Sequence, residues 1–226
     1  MHLKKKVTAI LLAGGSATRF GGGLNKVYLP MDGKPVIHYS LEALDSHNEI
    51  DDIVVVIREG EEGLIGQPIL KKPWKIVYGG RTRSESVFNG LMATNSELVV
   101  IQDGARPFLK SYYITDCLNA LDDYDGATVG IRSKDTVKIA FENQLISRTP
   151  VRTNTWLVQT PQCFKRDVLV ECHMLYSGPE ATDDCMLLEK QKKDVLIISG
   201  EDTNIKITTK SDLLYAEYIL QEKGAN

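Results

Sequence analysis

The chain has 226 residues, of which 42% are hydrophobic and 25% are charged, and its formal net charge is −3 at pH 7. These values are those of an ordinary globular protein and predict a single domain across residues 1–226. A net negative charge provides no electrostatic basis for binding nucleic acid. The first apolar run is too short for a signal sequence, and no run reaches the roughly 18–20 residues that span a bilayer. We therefore expect a cytoplasmic protein with no nucleic-acid and no membrane partner.

Short apolar runs of strand length alternate along the chain with stretches that have helical spacing. Strands are predicted at residues 7–12, 53–57, 75–78, 98–102, 127–131 and 195–199. Helices are predicted at residues 35–44, 84–93, 112–121, 166–176, 182–193 and 210–222. This alternation predicts an α/β fold with a mostly parallel sheet covered on both faces. Ligands of such sheets bind beyond the carboxyl ends of the strands, so the loops that follow strands are the candidate sites.

Residues 133–156 fit this alternation less well because they are polar. Residues 137–139 and 145–146 are weak strand candidates, separated by Glu142, Asn143 and Gln144. The segment is predicted to be a protruding hairpin. It could pack on a partner subunit or be a plain surface excursion, and its composition does not decide between the two.

The four cysteines favour reduced thiols over a metal site. Cys117, Cys163, Cys172 and Cys185 include no C-x-x-C pair, and no histidine lies at a zinc-ligand spacing beside a cysteine pair. We expect all four to be buried or partly exposed free thiols.

The first predicted strand runs into a glycine-rich segment that carries two cationic side chains. Residues 12–20 are LAGGSATRF, and three glycines follow before Lys26. Small residues after a strand let backbone N–H groups approach phosphate oxygens, and Arg19 and Lys26 add positive charge. The spacing is neither that of a P-loop nor that of a dinucleotide site. We predict a phosphate site here, with a structural turn as the alternative.

A second glycine pair, Gly79 and Gly80, follows the strand predicted at residues 75–78 and leads into a helix. The N–H groups at a helix N-terminus favour anions and polar ligand atoms. The alternative is structural, since Ser84 or Ser86 could simply cap the helix.

A carboxylate, Asp103, closes the fourth predicted strand, and Arg106 follows it. A carboxylate at the carboxyl end of a strand suits a Mg²⁺–phosphate complex, because Mg²⁺ keeps its waters and takes one or two carboxylates. Alternatively, Asp103 caps a turn and pairs with Arg106.

Taken together, these segments resemble the 2-C-methyl-D-erythritol 4-phosphate cytidylyltransferase family, from about Val7 to Tyr218. The segments that carry the resemblance are residues 12–20 with Lys26, 79–86, 103–108, 135–138, 159–162, 182–184 and 204–208. The resemblance implies a Rossmann-like three-layer α/β/α nucleotidyltransferase fold with a protruding β-arm at about residues 133–156. It also implies transfer of CMP from CTP to a sugar-alcohol phosphate, 2-C-methyl-D-erythritol 4-phosphate, with release of pyrophosphate.

The resemblance further implies a role for each matching residue. The catalytic residues would be Arg19, Lys26, Arg152 and Lys206. The nucleotide would contact Ala13, Gly14, Gly15, Gly79, Gly80, Ser86 and Ala105. The second substrate would contact Asp103, Arg106, Thr136, Arg152, Thr160, Thr182 and Lys206. The cofactor would be Mg²⁺ or another divalent cation with Asp103 as a ligand, and a homodimer would form in which the arm completes the partner's site.

Two departures from the family pattern and two alternative functions accompany this resemblance. Ala17 stands where a glycine is common, and Arg81 stands where many relatives carry an acidic residue. One alternative is a ribitol-5-phosphate cytidylyltransferase, whose corresponding loop is typically D-S-V-R-P, whereas residues 103–107 here are DGARP. The other is a CTP-sensing protein that has lost turnover, against which the presence of both Arg19 and Lys26 argues.

Overall fold

A seven-stranded sheet forms the centre of the computed structural model, which describes residues 5–14, 25–178 and 181–224. The strands are β1 (Val7–Leu12), β2 (Pro30–Met31), β3 (Lys34–Pro35), β4 (Asp52–Ile57), β5 (Trp74–Tyr78), β6 (Leu98–Asp103), β7 (Gly126–Arg132), β8 (Ile139–Ala140), β9 (Ile146–Arg148), β10 (Trp156–Lys165) and β11 (Val195–Ser199). The helices are α1 (Val36–Ser46), α2 (Arg83–Met92), α3 (Ser111–Ala120), α4 (Arg166–Leu175), α5 (Asp184–Lys190) and α6 (Lys210–Gly224). The order in the sheet is β11-β7-β10-β6-β1-β4-β5.

The predicted mostly parallel sheet is confirmed. β1 lies between β4 and β6 and is parallel to both, with Leu12 opposite Val56 on one side and Asp103 on the other. These strands are continuous apolar runs because helices cover both of their faces. The register brings the carboxyl ends of β1, β4 and β6 to the same edge of the sheet.

The helices form a layer on each face of the sheet. Side chains of α1 and α3 join one buried cluster with Leu11 and Val55, whereas α2, α4 and α5 join another with Ile10 and Val54. Neighbouring residues of one strand point to opposite faces, so β1 and β4 each contribute to both clusters. Helix α5 has a side-chain cap at its N-terminus, because the side chain of Asp183 accepts a hydrogen bond from the backbone N–H of Met186 at 3.1 Å.

The sheet contains one strand that the sequence pattern did not predict. β10 has ten residues and runs antiparallel to both of its neighbours, β6 and β7. Its register shifts between Val158 and Gln162, where the polar residues Gln159 and Thr160 are buried and the peptide bond before Pro161 is cis. Buried polar residues and a proline break the apolar run by which a central strand is recognised.

The segment predicted to be a hairpin contains a separate two-stranded antiparallel sheet, formed by β8 and β9. Its strands lie one or two residues further along the chain than expected.

All four cysteines are free and buried. Throughout the ranges that the structure describes, every helix is too short or too polar to cross a membrane.

Close packing of α2 on the sheet gives a prediction for Gly90. A Cβ atom there would lie 2.6 Å from Cγ2 of Ile10 and 3.2 Å from Cγ2 of Val56. In a helix exposed to solvent, Gly→Ala stabilises by about 1 kcal/mol, but overpacking a core costs about 1–3 kcal/mol. We expect Gly90→Ala to lower the free energy of unfolding in urea by about 1 kcal/mol, whereas Met92→Ala, at a half-exposed site on the same helix, should change it by less than about 0.5 kcal/mol.

A stabilising Gly90→Ala substitution would show that the helix can move away from the sheet at little cost.

Candidate active site

A first cavity of about 580 Å³ opens at the edge where the carboxyl ends of the parallel strands meet. Its lining comes from the loops that follow β1, β4, β5 and β6, together with Lys206. The lining residues are Leu12, Gly14, Asn25, Lys26, Val27, Arg58, Gly80, Arg81, Thr82, Arg83, Ser86, Asp103, Ala105 and Lys206. Five of these residues are Lys or Arg and one is acidic, so the cavity suits a polyanion.

A second cavity of about 590 Å³ lies beside the first, and Arg83, Asp103 and Lys206 line both. Its remaining lining comes from Arg106, from β10, from α5 and from the two residues before α5. The residues are Val158, Gln159, Thr160, Gln162, Thr182, Asp183, Met186, Glu189 and Lys190. The two cavities therefore meet at one charged cluster.

Asp103 is the centre of that cluster. Its carboxylate lies 2.6 Å from Nζ of Lys206, 3.6 Å from Nε of Arg83 and 4.0 Å from Nε of Arg106. Burial alone would raise the pKa of Asp103, but the charges of Lys206, Arg83 and Arg106 lower it below its usual value. The carboxylate is therefore ionised at neutral pH, and it holds three cations at the junction of the cavities.

Arg83 is a site residue to which the sequence analysis gave no role. Its guanidinium donates to Oδ2 of the buried Asp184 at 2.7 Å and also faces Asp103. Burial would lower the pKa of Arg83, but the two carboxylates raise it. Asp184 in turn lies 3.6 Å from Nε2 of His173. Within the sequence, Arg83 occurs in a segment with Arg81, and nothing there distinguishes the buried arginine from the exposed one.

The glycine pair after β5 lies directly against the first turn of α2. A Cβ atom at Gly79 would be 2.7 Å from Oγ of Ser86, and one at Gly80 would be 2.3 Å from Cβ of Glu85. The alternative that Ser84 or Ser86 caps this helix is wrong. Thr82 is the cap, accepting from the N–H of Glu85 at 3.0 Å, while Ser86 accepts from the N–H of Gly80 at 3.1 Å. Ser86 thus fixes Gly80 at the cavity wall.

Some of the residues predicted to contact the nucleotide line the first cavity, and others do not. Gly14, Gly80, Ser86 and Ala105 line it, as does Lys26. Ala13 and Gly79 are not among its lining residues. Ala13 is buried, and its N–H donates to the carbonyl of Val56 at 2.7 Å. Gly15 and Arg19 lie outside the described residues.

Of the residues predicted for the second substrate, Asp103, Arg106, Thr160, Thr182 and Lys206 line the second cavity. Polar contacts hold several of them in place. Arg106 donates to the carbonyl of Asn204 at 2.7 Å, and Oγ1 of Thr160 accepts from the N–H of Asp103 at 3.1 Å. The amide of Asn204 donates to the carbonyl of Thr160 at 2.9 Å. The buried Asn204 thus joins β10 to the segment that carries Lys206.

Thr136 and Arg152 do not join this site within the chain. Both lie at exposed positions in the arm and line neither cavity. Arg152 is in a short 3₁₀ helix, Arg152–Asn154, just before β10.

Solved structures with the same fold place the chain in a class of enzymes. A 4-diphosphocytidyl-2C-methyl-D-erythritol synthase from Anaerococcus prevotii is 34% identical, with a TM-score of 0.87 over 96% of this chain and 97% of that one. A 2-C-methyl-D-erythritol 4-phosphate cytidylyltransferase from Thermus thermophilus is 27% identical, with a TM-score of 0.76 over 94% and 98% of the two chains. With a cation-lined cavity at the carboxyl edge of the sheet, the fold and site define a nucleotidyltransferase.

Sequence relatives specify which nucleotidyltransferase family this is. The model of the 2-C-methyl-D-erythritol 4-phosphate cytidylyltransferase family matches residues 7–222. A relative of that name from Caldanaerobacter subterraneus is 40% identical over 96% of this chain and 99% of its own length. Another from Clostridium botulinum is 37% identical over 96% and 98% of the two chains. The chain belongs to this family.

The charge balance around Asp103 gives a prediction for stability. Asp103→Asn removes the carboxylate that Lys206, Arg83 and Arg106 share, and of the three only Arg83 keeps a second one among the described residues, that of Asp184. We therefore expect the free energy of unfolding at pH 7 to fall by about 3–5 kcal/mol. The folded-state pKa of Asp103 is lowered, so its stabilisation is present above the unfolded pKa of about 3.9 and decreases as the pH falls below that value. The difference between wild type and variant, measured by urea unfolding, should therefore be smaller at pH 3 than at pH 7.

The matched control is Asp202→Asn. Asp202 forms an exposed ion pair with Lys134, and its loss should change stability by less than about 1 kcal/mol. A loss for Asp103→Asn that is equal at both pH values would contradict the proposed charge balance.

Proposed function

We propose that this cytidylyltransferase binds CTP in the first cavity and 2-C-methyl-D-erythritol 4-phosphate in the second. It would join CMP to the acceptor phosphate where the cavities meet, giving 4-diphosphocytidyl-2-C-methyl-D-erythritol and pyrophosphate. The observation that carries this proposal is the shared wall of Arg83, Asp103 and Lys206. A reaction between two bound anions requires adjacent sites with positive charge at their boundary.

The chemistry is an in-line displacement. A phosphate oxygen of the acceptor attacks the α-phosphorus of CTP, and the bond from that phosphorus to the pyrophosphate oxygen breaks. The acceptor phosphate is already anionic near neutral pH, so the attack requires no strong general base. The main obstacle is repulsion between the two anions, and catalysis therefore depends on positioning and on charge stabilisation.

Different cationic side chains stabilise the negative charge in each of the two cavities. We assign Lys26, in the first cavity, to the charge on the α-phosphorus and the leaving pyrophosphate, and we expect Arg19 to act with it. Lys206 lies at the junction, where Asp103 holds its ammonium group at 2.6 Å. Arg106 suits the acceptor phosphate, because its buried Nε has no hydrogen-bond partner among the described residues and an anion in the second cavity would supply one.

We propose that a divalent cation, Mg²⁺, binds together with the nucleotide, because the described side chains at the site could not hold the ion alone. The described residues contain no group of three or more His, Cys, Asp or Glu side chains that could hold a metal ion. Among the residues lining the first cavity, Asp103 is the single carboxylate. One carboxylate suits Mg²⁺, which takes its other ligands from phosphates and water. When bound, the ion supplies positive charge to the triphosphate.

The arm has the properties expected of a subunit interface, and we propose a homodimer in which it completes the partner's second cavity. Its surface exposes Ile139, Phe141, Leu145, Ile146 and Val151, each to 41% or more. A cluster of exposed apolar side chains favours a protein contact. Thr136 and Arg152 lie on the same arm and line neither cavity of their own chain, so the partner's acceptor is the ligand that we assign to them.

We also propose that the enzyme acts in the cytoplasm. The support is its four buried free thiols, since oxidised cysteine pairs are typical of secreted proteins.

The proposed reaction is tested by measuring pyrophosphate release with CTP and each of two acceptors. We expect release with 2-C-methyl-D-erythritol 4-phosphate and little with ribitol 5-phosphate. The reverse preference would make the chain a ribitol-5-phosphate cytidylyltransferase, and CTP binding without release with either acceptor would favour the sensing role.

The role of Lys26 predicts a large loss of turnover in Lys26→Ala. Removal of one preorganised donor to transition-state charge costs about 10²–10³-fold in kcat, and we expect a loss of at least that size with a smaller change in CTP affinity. Steady-state kinetics and CTP titration measure the two effects. Lys71→Ala, at an exposed site elsewhere, is the control. Near-normal turnover in Lys26→Ala would remove Lys26 from the catalytic role.

The proposed arm predicts complementation between two inactive variants. Lys26→Ala protomers carry an intact arm, and Arg152→Ala protomers carry an intact first cavity. In a mixed dimer, one of the two sites then contains both wild-type residues. Random mixing should therefore restore about one quarter of wild-type activity, since half of the dimers are mixed and each has one intact site. If Arg152 acts within its own chain, mixing restores nothing.

A further inference from the structure

The segment that follows β4 contacts both ends of the glycine-rich loop. At the first end, Nε of Arg58 donates to the carbonyl of Gly14 at 3.1 Å. At the second end, Nδ2 of Asn25 donates to Oε2 of Glu61 at 3.3 Å. The same Nδ2 donates to the carbonyl of Ala13 at 2.6 Å, which joins the two ends directly.

Asn25 and its neighbours are held more firmly than a surface turn requires. Asn25 is 3% exposed, and its Oδ1 accepts from the N–H of Val27 at 3.4 Å as the cap of the 3₁₀ helix Lys26–Tyr28. The hydroxyl of the buried Tyr28 donates to Oε2 of Glu61 at 3.2 Å. Burial, together with the charge of Glu61, raises the pKa of Tyr28, so this hydroxyl keeps its proton and remains a donor.

Oε2 of Glu61 therefore accepts two hydrogen bonds, one from Asn25, directly before Lys26, and one from Tyr28, two residues after it. The backbone of Lys26 lies between two anchored points, and Lys26 is one of the residues that line the first cavity. Tyr28 and Glu61 line neither cavity, and Asn25 lines the first cavity without a part in the reaction described above.

We infer that Glu61, acting through Asn25 and Tyr28, is a positioning residue that fixes the backbone of Lys26 at the nucleotide cavity. The inference rests on the proposed catalytic role of Lys26. A lysine side chain has a flexible four-carbon stem, so its ammonium group is placed accurately when the backbone that carries it is fixed. A displacement of about 1 Å in such a group can cost about 10²-fold in rate.

Three substitutions separate this role from a general effect on folding. Glu61→Ala removes the acceptor for both donors. Glu61→Gln retains an amide oxygen that can accept from both Asn25 and Tyr28. Asn25→Asp keeps the acceptor for Val27 but removes the donor to Glu61 and Ala13, and it adds a like charge beside Glu61.

We expect kcat to fall by about 10-fold or more in Glu61→Ala and in Asn25→Asp, while the KM for CTP changes by less than about threefold in Glu61→Ala. Glu61→Gln should stay within about threefold of wild type. Glu59→Gln, at an exposed neighbouring acid, controls for the change of charge. Thermal unfolding of each variant reports on the fold, and if Glu61→Ala does not fold, Asn25→Asp provides the same comparison.

The decisive measurement repeats Glu61→Ala in the Lys26→Ala background. Positioning through Lys26 predicts little further loss there, at most about twofold, because the group being positioned is already absent. The same loss in both backgrounds would overturn the inference and leave the catalytic role of Lys26 intact. The inference would also be overturned if Lys26→Ala loses turnover while Glu61→Ala and Asn25→Asp keep the kcat of the wild type. Near-normal turnover in Lys26→Ala would overturn that role and the inference with it.

Discussion

One buried carboxylate at the end of β6 organises the site. Asp103 is 7% exposed, yet it is ionised because Lys206, Arg83 and Arg106 surround it. Each of the three cations comes from a different part of the chain: the start of α2, the loop after β6 and the segment before α6. The carboxylate thus joins distant segments, and it places positive charge at the boundary of two cavities that are proposed to hold two anions.

The sheet makes this arrangement possible through its register. Leu12 lies opposite both Val56 and Asp103, so three strands end at the same edge and their loops share one space. The loop after β5 then packs directly against the first turn of α2, because Gly79 and Gly80 have no Cβ atoms to separate the two. A rigid sheet edge thus provides the preorganisation that phosphoryl-type transfer requires.

Much of the fold and part of the site could be predicted from the sequence. The buried parallel strands are continuous apolar runs, and the pattern located all of them to within a residue or two. It missed β10, because the buried side chains of Gln159, Thr160 and Gln162 are satisfied by tertiary contacts that a linear pattern does not reveal. It likewise gave Arg83 no role, because the burial that separates Arg83 from Arg81 depends on Asp184, 101 residues away.

The sequence by itself determined the class of sheet, the loops at its carboxyl edge and the family, since these depend on local periodicity and on residue types in order along the chain. Only the tertiary structure decided which charges meet. Ion pairing depends on distance in space, and two of the three partners of Asp103 are distant in sequence: Arg83 lies 20 residues before it and Lys206 lies 103 residues after it. The division into two adjoining cavities follows from those contacts, and no pattern of neighbouring residues contains it.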